Sequence, residues 1–172
     1  MTSVAMHERD TFCSYCGQPF HATGYPRPCG QCGQVTYRNP IPVAVTILPV
    51  DGGVLAVRRG IEPRKGKLAF PGGYIEFGES WQAGAAREVF EETGIRIDAA
   101  SIQEFAVKSA PDGTVLIFGI APPIDLELTR SFVPREEAPE IVIVREFIEM
   151  AFPLHTDALR KFLSARPGQP AG

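Results

Sequence analysis

Gly73-Tyr-Ile-Glu-Phe-Gly-Glu79, seven further residues, then Arg87-Glu88-Val-Phe-Glu91-Glu92-Thr93-Gly94-Ile95 is the stretch on which the reading of this chain turns. Ser80 to Thr93 is rich in alanine and free of proline, and Gly94 closes it, so it reads as a helix with a glycine cap. On such a helix Glu88 and Glu91 lie three residues apart and Glu88 and Glu92 four apart, which lines the carboxylates along one side. Like charges at that spacing repel and weaken the helix unless a cation neutralises them, and Arg87, one turn before Glu91, answers only part of that charge. A solvated face would account for an isolated acidic stripe. Here a glycine-rich turn, Gly72-Gly73, stands just upstream, and its carbonyls can complete the oxygen shell that a hard divalent cation such as Mg2+ takes.

Working outward, Val43 to Val50 reads as a buried strand and Gly53 to Arg59 as a second, with Asp51-Gly52 as the hairpin turn that makes them antiparallel neighbours. Gly60 to Lys67 is a basic loop carrying Arg64, Lys65 and Lys67, and Leu68 to Gly73 is a short apolar piece ending in a turn. Beyond the helix, Ser101 to Lys108, Thr114 to Ile120 and Ile141 to Ile148 are rich in strand formers. His155 to Ala165 has helical spacing at Leu154, Ala158, Leu159, Phe162 and Leu163. The order of elements suits an α/β sandwich with helices flanking a mixed sheet. Arg166 to Gly172, rich in proline and glycine, is expected to fray.

The whole chain, 172 residues with 44% hydrophobic and 22% charged, has room for one ordinary core and a small appendage, and its mix excludes wholesale disorder. Net charge is -3, so nothing chain-wide attracts a polyanion such as duplex DNA, and phosphate binding has to be local. Its apolar runs fall short of the ~18 residues of a membrane helix, and its first residues lack the apolar centre of a secretion signal. A cytoplasmic protein with no membrane partner is expected.

All four cysteines fall within one window: Cys13-x2-Cys16, twelve residues, Cys29-x2-Cys32, with Gly17 and Gly33 directly after each pair. Two thiolates facing one ion require a tight turn, and glycine tolerates the positive φ of such a turn. Four protein ligands leave no open position, so the expected metal is a structural zinc. Disulfides and a dithiol redox pair are the rival readings; the first suits exported proteins, and the second needs no matching second pair. His21, between the two pairs, reads as a solvated loop residue. The ribbon is placed at 9–38. Asn39-Pro40-Ile41-Pro42 is read as a stiff connector into a catalytic unit at 39–165, followed by the tail at 166–172.

Taken together, Gly73-x5-Glu79-x7-Arg87-Glu88-Val89-x-Glu91-Glu92-x-Gly94-Ile95 resembles the Nudix box, with every defining position present. The resemblance implies an α/β/α sandwich around a mixed sheet, here preceded by a small zinc ribbon, and a metal-dependent pyrophosphohydrolase that cleaves a nucleoside diphosphate linked to another moiety. It implies that Glu88, Glu91 and Glu92 hold Mg2+ or Mn2+, with a carbonyl of Gly72 or Gly73, and that Arg87 and Glu79 pair to brace loop against helix. For the general base, Glu88 is the first choice. Among Glu136, Glu137 and Glu140, which precede the last strand, Glu140 sits where many members carry an extra acid.

Ribbon and box together resemble the NADH pyrophosphatase branch and the plant plastid FAD pyrophosphatase-like proteins. The Ser-Gln-Pro-Trp-Pro-Phe-Pro array that follows the box in the former is absent from Ile95 to Lys108, and only twelve residues precede Cys13. A small-molecule substrate such as ADP-ribose, FAD or a related dinucleotide is therefore expected over strict NAD(H) specificity. Arg58, Arg59, Arg64 and Lys65 are candidates for its phosphates, and Phe70, Tyr74 and Phe77 for stacking a base, against the plainer reading that they pack or solvate. Two alternatives remain: a house-cleaning nucleoside triphosphatase that releases pyrophosphate, and a zinc-ribbon nucleic-acid-binding or regulatory protein with a metabolite-sensing unit. Negative net charge and a complete box argue against the second. A homodimer is left open.

Overall fold

In the computed structural model, residues 11–21 and 24–165 are described, and the chain divides after Pro40 into two compact units. The tail expected to fray over 166–172 lies outside the described residues, as do residues 9, 10, 22 and 23 of the ribbon.

The first unit is a pair of congruent turns joined by a two-residue ladder. Cys13 N–H donates to Gln18 O and Gly17 N–H to Cys13 O; sixteen residues on, Cys29 N–H donates to Gln34 O and Gly33 N–H to Cys29 O. Gly17 and Gly33 both have φ of 73°, the left-handed value that lets each turn close. Strand β1 (Arg27–Pro28) pairs antiparallel with β2 (Val35–Thr36).

The second unit is built on β3 (Ile41–Val50), a ten-residue strand at the centre of a mixed sheet. It runs parallel to β8 (Thr114–Ile120) and antiparallel to both β4 (Gly53–Arg58) and β6 (Gly72–Tyr74). Beyond β4 lie β5 (Leu68–Ala69) and β9 (Glu140–Val144), and beyond β8 lies β7 (Gln103–Ser109). Asp51 and Gly52 have φ of 45° and 64°, the twin positive values of a two-residue hairpin, as their sequence predicts.

Alternation along the central strands separates two cores. Val45, Ile47, Val54 and Ala56 face a cluster with Phe118 and Leu159, under helix α2 (Pro153–Ser164). Ala44, Leu48, Val50, Leu55 and Val57 face Ala85 and Val89 of helix α1 (Trp81–Thr93). Both faces are covered, which is why β3 and β4 read as continuous apolar runs. Each fully buried side chain such as Leu159 or Phe118 contributes roughly 1.5–3 kcal/mol.

Helix α1 starts where Ser80 Oγ accepts the Ala83 N–H at 3.1 Å and stops at Gly94, whose φ is 76° and whose N–H returns to Phe90 O. Its buried face is made of small residues, Gly84, Ala85, Val89 and Thr93, so the helix lies close on the sheet.

Two local expectations are corrected. Ile41-Pro42 is strand, not connector: both residues pair with β8, and Pro42, which has no N–H to give, contributes its carbonyl to Ile75 N–H. Gly72-Gly73 is likewise strand rather than turn, in register with Val45 and Ala44. Their glycine character answers to crowding, since a Cβ on Gly72 would lie 2.3 Å from Ala44 O. The last strand also ends at Val144, four residues short of the span read from sequence.

Candidate active site

The exposed side of helix α1 turns its carboxylates toward β6 and the segment before β9. Arg87 organises them. Its Nη2 donates to Glu79 Oε1 at 2.8 Å and to Tyr74 O at 2.9 Å, while Nη1 donates to Glu88 Oε1 at 2.7 Å and to Glu91 Oε2 at 3.0 Å. Glu79 Oε1 also accepts the Glu76 N–H at 2.7 Å, so one buttress ties the loop after β6 to the helix. These hydrogen bonds, that from Arg87 foremost, hold Glu79 below the usual carboxylate range, and the same pairing raises Arg87.

The deeper carboxylates behave in the opposite way. Burial raises Glu92 to about 8, although its Oε2 accepts the Gly72 N–H at 3.1 Å, and burial also raises Glu88 despite Arg87. Glu88 is pressed on β6: a Cβ at Gly73 would come within 2.5 Å of its carboxylate. Glu91 is the most open of the Arg87 partners, its side chain 52% exposed. Glu88, Glu91 and Glu92 line a concavity of roughly 320 Å³, and Arg135, Glu136, Glu137 and Ala138 form its other wall.

An oxygen-rich cleft lined by five carboxylates fits a hard divalent cation such as Mg2+ or Mn2+. Its oxygens do not converge on one point, however. Among the described residues only the four cysteines present donor atoms all within 4.8 Å of one another. Cys13 Sγ and Cys32 Sγ are 3.7 Å apart, as are Cys16 Sγ and Cys29 Sγ. A sulfur tetrahedron with metal–sulfur bonds of ~2.3 Å has edges of about 3.8 Å, whereas a disulfide requires ~2.05 Å. The ribbon therefore fits a closed four-thiolate site.

The sequence profile of the NUDIX domain family matches residues 39–155, a span that contains helix α1, the Arg87–Glu79 buttress and both walls of the cleft. The chain belongs to the NUDIX domain family. The solved structure of a NUDIX hydrolase from Nitrosomonas europaea is similar over 94% of this chain and 95% of that one, with 32% identity and a TM-score of 0.76. A mutT/nudix family protein from Listeria innocua, at 25% identity, aligns over 74% of this chain and 95% of its own with a TM-score of 0.59. The NAD-capped RNA hydrolase NudC of Edwardsiella ictaluri is 34% identical over 88 residues, half of this chain and 34% of that protein. NudC of Klebsiella pneumoniae matches over the same shares at 33% identity. This chain thus spans about a third of the length of those curated relatives.

In this Nudix domain the other candidate residues are dispersed. Glu140 heads β9 directly opposite Arg58 of β4 and accepts from its Nε at 2.5 Å, away from the cleft wall. Arg58 Nη1 also donates to Gly66 O, and Arg59 donates to Pro63 O and lies over the Phe152 ring, so both cations brace the basic loop. Arg64 stands in that loop with φ of 69°, exposed, and Lys65 beside it is exposed too. Tyr74 and Phe77 are exposed near the buttress, whereas Phe70 is buried and stacks on His155 in the core, which removes it as a base-stacking residue. Arg135 was not legible as a site residue. Only the turn that ends at buried Ala138 carries it to the cleft, and no sequence motif marks that turn.

Proposed function

We propose that this Nudix protein is a Mg2+- or Mn2+-dependent pyrophosphohydrolase that cleaves a nucleoside diphosphate linked to another moiety into two monophosphates. ADP-ribose, FAD or a related dinucleotide is the intended substrate class. One observation carries the reading: five carboxylates line one cleft of 320 Å³, three of them from a single helix, and such a gathering of acidic oxygens suits a hard polyvalent cation. The likeness to NAD-capped RNA hydrolases supports the bond type, because NAD is two nucleoside monophosphates joined through one phosphoric anhydride.

When bound, the divalent ion supplies charge neutralisation of the diphosphate and a lowered pKa for the attacking water. The chain's own part is division of labour. Glu91 and Glu92, with Glu88 and a carbonyl of Gly72 or Gly73, would hold the ion, and Arg87 with Glu79 keeps Glu88 and Glu91 in position. Glu88, wedged against Gly73, is the proton acceptor of first choice. Of the three loop acids, Glu136 and Glu137 are assigned to support metal or proton, because they line the cleft while Glu140 pairs with Arg58. The ribbon of 9–38 holds one structural Zn2+ through Cys13, Cys16, Cys29 and Cys32, and the hydrolase unit is 39–165. Thiols at coordination spacing rather than in disulfides support a cytoplasmic setting.

A Mg2+-supplemented screen of ADP-ribose, FAD, NADH and nucleoside triphosphates, with products identified by mass, tests this. Two monophosphates from a dinucleotide are expected. Release of inorganic pyrophosphate from triphosphates alone would replace the reading with a house-cleaning triphosphatase.

A further inference from the structure

The cleft wall that faces helix α1 carries one cation, Arg135, beside Glu136 and Glu137, opposite Glu88, Glu91 and Glu92 of the helix. Among the described residues its guanidinium forms no ion pair and no side-chain hydrogen bond. The nearby arginines are all engaged: Arg87 with Glu79, Glu88, Glu91 and Tyr74 O, Arg58 with Glu140, and Arg59 with Pro63 O and the Phe152 ring.

The turn that presents Arg135 is firmly built. Arg135 N–H donates to Ala138 O at 3.0 Å, Ala138 is fully buried in the α1 core, and Gly60 N–H holds Glu137 O at 2.8 Å. Gly60 is packed so closely on this turn that a Cβ there would lie 1.6 Å from Glu136 O. The backbone of the turn is thus held on both sides, and the exposed Arg135 side chain is unpaired where it lines the cleft. A planar fork of N–H donors matches the oxygens of a phosphate group better than an ammonium does.

We propose that Arg135 is a substrate-contact residue that donates to a non-bridging oxygen of the substrate's diphosphate from the wall opposite the Nudix helix. The assignment rests on the hydrolase reading above. It gives the cleft one anion-binding donor: carboxylates on both walls attract cations, and the single guanidinium beside Glu136 and Glu137 attracts the diphosphate. Arg135 is thereby a selector for substrates whose diphosphate reaches across the cleft.

The test uses the full chain with zinc present and isothermal titration of two probes, Mg2+ alone and methylenediphosphonate in saturating Mg2+. Arg135→Ala should weaken the diphosphonate by about 10- to 100-fold, the usual range for a lost hydrogen bond between charged groups, and Arg135→Lys should fall between it and the wild type. Mg2+ alone should bind Arg135→Ala at least as tightly as the wild type, since removing a cation makes the cleft more negative. Undiminished diphosphonate binding by Arg135→Ala overturns the assignment and leaves the hydrolase reading standing. Parallel loss of Mg2+ and diphosphonate in that variant also overturns it, because the residue would then only support the turn. A wild type that binds Mg2+ but no diphosphonate overturns both the assignment and the reading it rests on.

Discussion

The two units each gather four or more potential metal ligands, yet they hold them in opposite ways. In the ribbon the sulfur atoms converge, with Cys13 Sγ 3.7 Å from Cys32 Sγ and Cys16 Sγ 3.7 Å from Cys29 Sγ. In the catalytic unit the carboxylates spread: Glu88 and Glu91 share Arg87 Nη1, and Glu92 turns to the Gly72 N–H. Charge explains the contrast. A thiol is neutral until its proton leaves, so four can crowd together, and the tight turns then favour the thiolate where it is wanted. Cys13 is lowered to about 6, first by the Tyr15 N–H, and Cys29 is lowered first by the Cys32 N–H, whereas desolvation and the facing sulfurs raise Cys16 to about 12 and raise Cys32 as well. The carboxylates are held apart by separate donors: Arg87 takes Glu88 and Glu91, while buried Glu92, raised to about 8, rests on the Gly72 N–H. A closed sulfur site and an open oxygen site follow, one suited to permanent structure and the other to metal and substrate that come and go.

The sharpest way to break this comparison is at the open site. Glu92→Gln and Glu91→Gln should each lower Mg2+-dependent turnover by about 10²-fold or more, since each removes ligand charge and no core volume. Thermal melts without Mg2+ should show Glu92→Gln as stable as the wild type or more so, because the substitution discharges a group that burial disfavours. Unaltered activity in both variants would remove the helix from the chemistry.

At the closed site, metal analysis of reduced protein should find about one zinc per chain, and Cys29→Ser should lose it. Because a four-thiolate site couples metal binding to folding, the ribbon should then become protease-sensitive while the Nudix unit keeps its fold. Limited proteolysis with mass mapping reads this directly, and an intact ribbon in the metal-free variant would show that packing alone sustains it.

A third buried ionisable group has neither metal nor counter-charge, and it gives the smallest effect. His155 on α2 is enclosed by Phe70, Phe118 and Phe152, its Nδ1 accepts the Phe70 N–H at 3.2 Å, and burial lowers it to about 3. Its folded-state pKa lies below the unfolded value of ~6.5, so the neutral ring's contribution is fully present above that value and is lost as pH falls toward 3. Between pH 7 and pH 5 this amounts to about 2 kcal/mol. Urea unfolding at the two pH values should show a loss that much larger in wild type than in His155→Gln, which keeps a polar side chain but cannot titrate.

Much of this architecture was legible from local chemistry. Asp51-Gly52 specifies a two-residue hairpin because few other residue pairs accept two positive φ values in succession. Ser80 and Gly94 bracket α1 because each meets a need of a helix end, an oxygen for free N–H groups and a left-handed residue for the exit. The positions of Glu88, Glu91 and Glu92 along one helix side follow from the period of 3.6 alone. Gly72 and Gly73 were misread as a turn because glycine suits two opposite needs, unusual φ and close approach. Only the proximity of Ala44 O and the Glu88 carboxylate tells them apart.

The choice among Glu136, Glu137 and Glu140 shows the same limit. All three are acids a few residues apart in one loop. Strand β9 begins at Glu140 and sets it opposite Arg58, whereas the turn anchored by Ala138 and Gly60 sends its neighbours to the cleft. Residue type and spacing along the chain establish the donors, the helix that carries three of them and the paired turns of the ribbon, because those depend on interactions within a few residues. Which loop acids and which arginine face the helix depends on strand register and on packing between segments some 50 residues apart in sequence. That is a property of the folded core, and no local rule encodes it.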